Sequence, residues 1–109
     1  MKIIATPLCM TSEYYRKVVE NGFGFNVPIG IASDYDERLA ETHVGTDALE
    51  VCERVWERFQ NLSEDHACPD GDRSMMVGDL IRLEYEDGSK GHFIVAAMGF
   101  NAVDEGWMF

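Results

Sequence analysis

The sequence predicts an α+β domain, in which an antiparallel sheet of about four to six strands carries two helices on one face. Two segments show the apolar spacing of amphipathic helices, and strand-like segments flank a hairpin turn signal near the C-terminal end. The chain has 109 residues, of which 46% are hydrophobic, enough for one core and short for two. We therefore expect a single compact domain over residues 1–109, with the approximate order β-α-β-β-α-β-β.

The first strand and the first helix are predicted from residues near the N-terminus. Lys2–Leu8 contains β-branched residues, and Pro7 is expected to mark the end of this strand or an edge position. Thr11 precedes Ser12 and Glu13 in a helix-capping pattern. The helix is indicated by apolar residues at helical spacing and a stop at Asn21-Gly22. These apolar residues are Tyr14, Tyr15, Val18 and Val19.

The second helix is predicted over Asp47–Leu62. Asp47 and Glu50 have the spacing of a capping box. Apolar residues then recur every three or four positions, which indicates one buried stripe. The stripe consists of Ala48, Val51, Cys52, Val55, Phe59 and Leu62.

A β-hairpin is predicted in the C-terminal part of the chain. Leu80–Glu86 alternates between apolar and charged residues, as a strand with one buried face does. Asp87-Gly88 is a signal for a two-residue type I′ turn, and Lys90–Met98 supplies the return strand. Gly99–Val103 either extends that strand or pairs beside it.

The remaining segments predict short strands, turns and a loop. One or two strands are expected between Ile29 and Thr42, and Asn61–Ser74 has the composition of a loop. Val77-Gly78-Asp79 suits a tight turn that enters a strand. There Gly78 is free to take a positive φ and Asp79 is able to accept backbone N–H bonds.

The charge of the chain is strongly negative. Twenty acidic residues against nine basic ones give a net charge of -11, which disfavours direct binding to nucleic acid or to an anionic membrane. Residues 34–72 hold twelve acids and three arginines, a net charge of -9. A partner selected by charge should therefore present a basic surface.

The cysteines and the N-terminal segment favour a cytoplasmic protein. Cys9, Cys52 and Cys68 are odd in number and irregularly spaced, which suits reduced thiols better than a disulfide framework. No apolar run approaches the roughly 18 residues of a membrane span, and the N-terminal segment lacks the features of a signal peptide.

No pattern in the sequence favours catalysis or a cofactor. His66 and Cys68 bring a histidine and a cysteine close together, but a zinc site needs about four ligands, so both are better interpreted as loop residues. Cys52 lies on the predicted buried stripe, and acidic neighbours should make Cys68 a poor nucleophile. The glycines near Phe23 lack the spacing of a phosphate-binding loop. We therefore predict no enzyme, no metal and no cofactor.

Several short motifs resemble the YodL-like domain of conjugative-element proteins. The resemblance covers about residues 47–103, roughly half the chain. It consists of a helix ending in Val55–Asn61 (VWERFQN), a loop with Pro69, the string Arg73–Ile81 (RSMMVGDLI), and Met98-Gly99-Phe100. The chain departs from the family pattern at Met75 and Met76, and the histidine that often precedes the proline is displaced to His66.

The resemblance implies an accessory protein of a plasmid, an integrative element or a phage, without catalysis or cofactor. The same hairpin string is similar to PUA- and ASCH-type barrels, which bind RNA or small ligands. A basic concave groove formed by Arg73, Arg82 and Lys90 would favour that alternative.

The function predicted from the sequence is that of a small acidic protein that binds a basic protein surface. Small acidic proteins of mobile elements include inhibitors of host defence of the anti-CRISPR and anti-restriction type, which can act by nucleic-acid mimicry. The alternative explanation is that the acidity serves solubility alone. The partner-binding residues predicted are Asp34, Asp36, Glu37, Glu50, Glu53 and Glu57. Trp107 and Phe109 are the predicted apolar anchors if the C-terminal segment is exposed, and the alternative is that they dock into the core of the domain.

Overall fold

The computed structural model describes residues 2–24, 26–45 and 47–104 and confirms the α+β class. The elements, in chain order, are β1 (Lys2–Met10), α1 (Ser12–Glu20), a 3-10 helix (Ala32–Asp34), β2 (Tyr35–Glu37), β3 (Glu41–Val44), α2 (Ala48–Arg58), β4 (Leu80–Tyr85), β5 (Lys90–Val95) and β6 (Phe100–Ala102). All strand pairs are antiparallel. In the described part of the chain, neither helix is long and apolar enough to cross a membrane.

Strand β1 lies inside the sheet, with β4 on one side and β2 and β3 on the other. The strands follow the order β2-β1-β4-β5-β6, and β3 lies beside β2 along the same edge of β1. Pro7 therefore lies inside β1, and the prediction that it marks an end or an edge is wrong. Its carbonyl oxygen accepts a hydrogen bond from the Arg38 backbone N–H at 2.9 Å, in the gap between β2 and β3. Proline has no backbone N–H, and the N and C=O of one strand residue point to the same side of the strand. The side of Pro7 that lacks a donor therefore faces this gap, and no hydrogen bond between β1 and β4 is lost.

The two helices pack on opposite faces of the sheet, so the prediction that they share one face is wrong. Ile3, Ala5 and Cys9 of β1 pack in one buried cluster with α2. Leu8 and Met10 pack in a second buried cluster with α1. Alternate residues of a strand point to opposite faces, and β1 is apolar on both. We refer to these faces as the α2 face and the α1 face.

Helix α1 follows its predicted boundaries. The Thr11 hydroxyl accepts a hydrogen bond from the Tyr14 N–H at 3.1 Å, and Gly22, just beyond the last turn, has φ +67°. Val18 is buried against the sheet and Tyr14 is partly buried. Tyr15 and Val19 are exposed, so the buried side of this short helix is narrower than its apolar spacing predicts.

Helix α2 confirms the central part of the predicted stripe. Val51, Cys52, Val55 and Phe59 are buried. Leu62 is 73% exposed, contrary to prediction, because the helix ends at Arg58 and not at Leu62. The chain turns out of the helix at Phe59, whose carbonyl accepts a hydrogen bond from the Met75 N–H at 2.9 Å.

The N-terminus of α2 carries half of the predicted capping box. The Asp47 carboxylate accepts a hydrogen bond from the Leu49 N–H at 3.0 Å. Glu50 is bound by Arg54, one turn further along the helix. In a capping box the Glu50 carboxylate would accept a hydrogen bond from the Asp47 backbone N–H, but here it forms an ion pair with Arg54.

The hairpin of β4 and β5 is confirmed, but its turn is not type I′. The Gly88 N–H donates to the Tyr85 carbonyl at 3.0 Å, and the Tyr85 N–H donates to the Ser89 carbonyl at 2.9 Å. Gly88 has φ +87°, whereas no described non-glycine residue, Asp87 included, has a positive φ. A type I′ turn needs a positive φ at both central positions. The loop is therefore a type I turn followed by a left-handed glycine.

The end of the return strand also differs from the prediction. Strand β5 ends at Val95, where the chain turns through a hydrogen bond from the Ala96 N–H to the Gly99 carbonyl at 3.0 Å. Strand β6 then pairs beside β5, which is one of the two arrangements predicted for Gly99–Val103.

Replacing Gly88 by valine should lower the free energy of unfolding by about 1–2 kcal/mol, because an L side chain is disfavoured in the left-handed region. A Cβ at this position meets no atom within 4 Å, so the cost arises from the backbone conformation and not from a clash. Urea denaturation measures the loss. Gly88→Asn is the control, since asparagine tolerates a positive φ and should lose much less. Equal stability of the two variants would contradict the left-handed assignment.

Candidate functional site

The structure distributes the predicted acidic residues over both faces of the sheet. Glu37 lies on the α1 face and forms an ion pair with Arg82 at 2.7 Å. Glu50, Glu53 and Glu57 lie on α2, across the sheet from Glu37. The predicted acidic residues therefore do not form one continuous surface.

The remaining two predicted carboxylates have local surroundings of their own. Asp34 accepts a hydrogen bond from the Ile31 N–H at 2.8 Å in the 3-10 helix. Asp36 is exposed on the edge strand β2, in register with Cys9 and on the α2 face. Asp34 therefore has a structural role, whereas Asp36 is accessible to a partner.

Most arginines of the described chain are already bound to carboxylates. The ion pairs are Arg38–Asp70, Arg54–Glu50, Arg58–Glu41, Arg73–Asp79 and Arg82 with both Glu37 and Glu84. Both arginines of α2 are among them. Glu53 and Glu57, which are exposed, form no ion pair with any described residue. The outer side of α2 therefore carries negative charge that its own arginines do not neutralise.

The loop after α2 adds two further carboxylates to this surface. The Leu62 N–H donates to the His66 carbonyl at 2.9 Å, and His66 Nε2 lies 2.8 Å from the Glu57 carbonyl oxygen. This turn brings Glu64 and Asp65, both exposed, to the C-terminal end of the helix. We call Glu53, Glu57, Glu64 and Asp65 the acidic ridge.

Sequence reasoning missed the two loop members of the acidic ridge. Helical periodicity identifies Glu53 and Glu57 as exposed, but it says nothing about the path of a loop. The signal in the sequence was the adjacent acidic pair Glu64-Asp65, which lies in the loop that follows the helix. The ridge therefore extends the predicted acidic side of α2 into the loop that follows the helix.

The position of the acidic ridge does not favour folding. The C-terminal end of a helix carries partial negative charge, so carboxylates there are unfavourable by roughly a few tenths of a kcal/mol each. Glu57 lies in the last turn, and His66, which follows Glu64 and Asp65 in the chain, is hydrogen-bonded to its carbonyl oxygen. Helix stability therefore does not explain the cluster.

An ion pair between a buried arginine and a more exposed aspartate holds the ridge loop against the domain. Arg38 binds Asp70 through Nε at 2.8 Å and Nη2 at 2.6 Å, and its guanidinium lies 4.9 Å from the centre of the Phe59 ring. The Arg38 side chain is almost fully buried. Its hydrogen bonds lower the pKa of the Asp70 carboxyl from 3.8 to about 2. The loop is thus fixed by a charged pair at neutral pH.

The cysteines and His66 do not assemble a reactive or metal-binding group. Burial raises the pKa of the Cys9 and Cys52 thiols to about 12, which keeps both protonated at neutral pH. Cys68 is buried and its thiol donates to the Arg73 carbonyl at 3.5 Å, whereas the His66 ring is directed to Glu57. Within residues 2–24, 26–45 and 47–104, no group of three or more potential ligands is placed to hold a metal ion.

The three basic residues that would form an alternative groove lie far apart. Arg73 contacts the Met10 carbonyl at one end of β1, and Lys90 lies at the level of Ile4 near the other end. Six strand residues separate these levels, about 20 Å. Arg73 and Arg82 are also bound by carboxylates. These residues form no common basic groove.

The two predicted apolar anchors, Trp107 and Phe109, lie outside the residues that the structure describes. Comparisons with known proteins found no protein-family model, no curated protein and no solved structure that matches the chain. Function is therefore inferred from the acidic ridge and its surroundings.

Proposed function

We propose that this chain is a non-catalytic binding protein whose acidic ridge docks on a basic surface of a partner protein. The observation that supports the proposal is the contrast on α2, where Arg54 and Arg58 are bound by carboxylates while Glu53 and Glu57 form no ion pair with any described residue. Such carboxylates are available to lysine and arginine side chains of another molecule.

The spacing of the ridge suits recognition by several cations at once. Glu53 and Glu57 are one turn apart, about 6 Å along the helix axis, and project from the side opposite the buried stripe. Arginine binds carboxylate and phosphate through the same forked geometry. A site built for the phosphates of a nucleic acid is thus the kind of basic surface that the ridge would occupy.

The resemblance of residues 47–103 to the YodL-like domain supports a setting for this binding. It implies an accessory protein of a mobile genetic element or a phage, acting in the cytoplasm. The partner we propose is a nucleic-acid-binding complex of a host defence system, inhibited by mimicry in the manner of anti-CRISPR or anti-restriction proteins. The chain itself is not proposed to bind nucleic acid.

The ridge variant Glu53→Lys, Glu57→Lys, Glu64→Lys tests the proposal. A partner is first captured with the parent protein from cells that carry defence systems, and identified by mass spectrometry. Binding kinetics are then measured over a series of salt concentrations. We expect the association rate at low salt to fall by about tenfold or more and its salt dependence to flatten, because surface charges act mainly on the encounter rate.

The matched control reverses three acids away from α2, namely Glu13, Glu20 and Asp104, which are exposed and change the net charge by the same amount. It should bind as the parent does, apart from a small effect of net charge. If the ridge variant binds as fast and as tightly as this control, the acidity serves solubility and the proposal is wrong.

A further inference from the structure

Half of the α1 face of the sheet is not covered by a described helix. Helix α1 and its cluster cover the part of this face around Leu8, Met10 and Leu80. The other half is formed by residues of β1, β3, β4 and β5 that lie side by side in register. We call this surface the open half-face; it includes Lys2, Ile4, Val44, Arg82, Glu84 and Lys90.

The open half-face exposes apolar side chains from adjacent strands. Ile4 is 43% exposed and Val44 is 70% exposed. Val44 of β3 is in register with Lys2 of β1, and paired residues of antiparallel strands point to the same face. Ile4 lies two residues after Lys2 on β1, so its side chain also points to that face. Exposed apolar side chains grouped on a sheet face mark an interaction surface.

The charges of the open half-face are balanced, unlike those of the whole chain. Lys2, Arg82 and Lys90 provide three positive charges, and Glu84 and Glu86 provide two negative ones. A third negative charge comes from Glu37 of β2, which borders this surface and is bound to Arg82. The chain as a whole carries a net charge of -11. Two copies that approach through their acidic ridges bring together carboxylates that form no ion pair with a described residue, whereas two open half-faces bring mixed charges together.

We propose that the open half-face is a self-association surface, on which a second copy of this chain packs sheet against sheet about a two-fold axis. A two-fold axis places the same patch on both copies, so the patch must be complementary to itself. A neutral surface with equal numbers of both signs and apolar residues between them meets that condition. Lys2 and Lys90 form no side-chain ion pair with the described carboxylates, so they are available to the other copy.

The small size of the open half-face is typical of a weak dimer. Four strands about 4.8 Å apart and about five residues long give a patch of about 19 by 16 Å. Two such patches bury roughly 600 Å² in total, which is below the size of stable specific interfaces and typical of weak, reversible ones. We therefore infer a reversible dimer with a dissociation constant in the micromolar range.

Sedimentation velocity over about 5 to 500 µM protein tests the proposal, since this range brackets micromolar dissociation constants. The parent chain should shift from monomer to dimer as the concentration rises. Val44→Asp should weaken the association by about tenfold or more, because it places a charge in the apolar part of the interface. The control is Ile31→Asp, a β-branched residue of equal exposure, 69%, on the segment before β2, with the same change in net charge. It should dimerise as the parent does.

A second pair of variants tests the charged part of the surface. Lys90→Glu should weaken the dimer, and Lys17→Glu on α1 should not. Melting temperatures confirm that each variant is folded. A chain that sediments as a monomer at all concentrations overturns the proposal, and so does Ile31→Asp if it weakens the dimer as much as Val44→Asp. Since Val44 lies across the sheet from the acidic ridge, partner binding should be unchanged in Val44→Asp, and the two proposals can fail separately.

Discussion

Replacing Asp79 by alanine should lower the free energy of unfolding by about 3–5 kcal/mol, the range found when one partner of a buried ion pair is removed. Asp79 is fully buried between the start of β4 and the end of β1. Its carboxylate accepts hydrogen bonds from the Met10 N–H at 2.9 Å and the Met76 N–H at 2.8 Å. Arg73 donates two more, at 2.9 and 3.0 Å. Alanine would leave two N–H groups and a partly buried guanidinium without their acceptor.

Urea denaturation of Asp79→Ala measures this loss. The control is Asp36→Ala, which removes an exposed carboxylate that forms no ion pair with a described residue and should change stability by less than about 0.5 kcal/mol. Asp79→Asn should also destabilise, because an amide offers one acceptor oxygen where the structure uses two. A loss in Asp79→Ala no larger than in the control would contradict the bonding described for this carboxylate.

Replacing Phe59 by alanine should cost about 3–5 kcal/mol of unfolding free energy, which is much of the stability of a small domain. Phe59 is almost fully buried in the cluster between α2 and the sheet. Its ring also covers the Arg38 guanidinium that anchors Asp70. The substitution therefore opens a cavity and exposes the ion pair that holds the ridge loop.

Leu62→Ala is the matched control for Phe59→Ala. Both residues belong to the apolar stripe predicted from the sequence, but Leu62 is exposed beyond the end of α2. Its replacement should change the melting temperature very little, since few contacts are lost. A melting temperature unchanged in Phe59→Ala, or lowered equally in both variants, would show that the C-terminal end of α2 is misplaced.

The sequence determined the elements whose signals are local. Thr11 and Asp47 cap the two helices as predicted, and Gly78 takes a positive φ before Asp79, which accepts a hydrogen bond from the Met76 N–H three positions earlier. Each of these features depends on residues within a few positions of one another, where side-chain and backbone preferences act directly. The α+β class follows from the local spacing of apolar residues, which distinguishes helices from strands.

The sequence also indicated part of the candidate site. Helical periodicity placed Glu53 and Glu57 on the exposed side of α2, and both are exposed there. Periodicity does not show which carboxylates form ion pairs. It therefore did not distinguish Glu37, which is bound by Arg82, from Glu53 and Glu57, which form no ion pair with a described residue. That ion pair joins residues 45 positions apart.

Only the tertiary structure decided which distant residues meet. The assignment of the helices to opposite faces and the position of Pro7 inside β1 depend on the arrangement of the sheet. The return of the loop to α2, where His66 contacts the Glu57 carbonyl, depends on the path of a long loop. Strand β1 is apolar on both faces, so its residues alone do not say which helix covers which side. Local patterns therefore determine the elements, whereas long-range packing determines which carboxylates are neutralised and which are left for a partner.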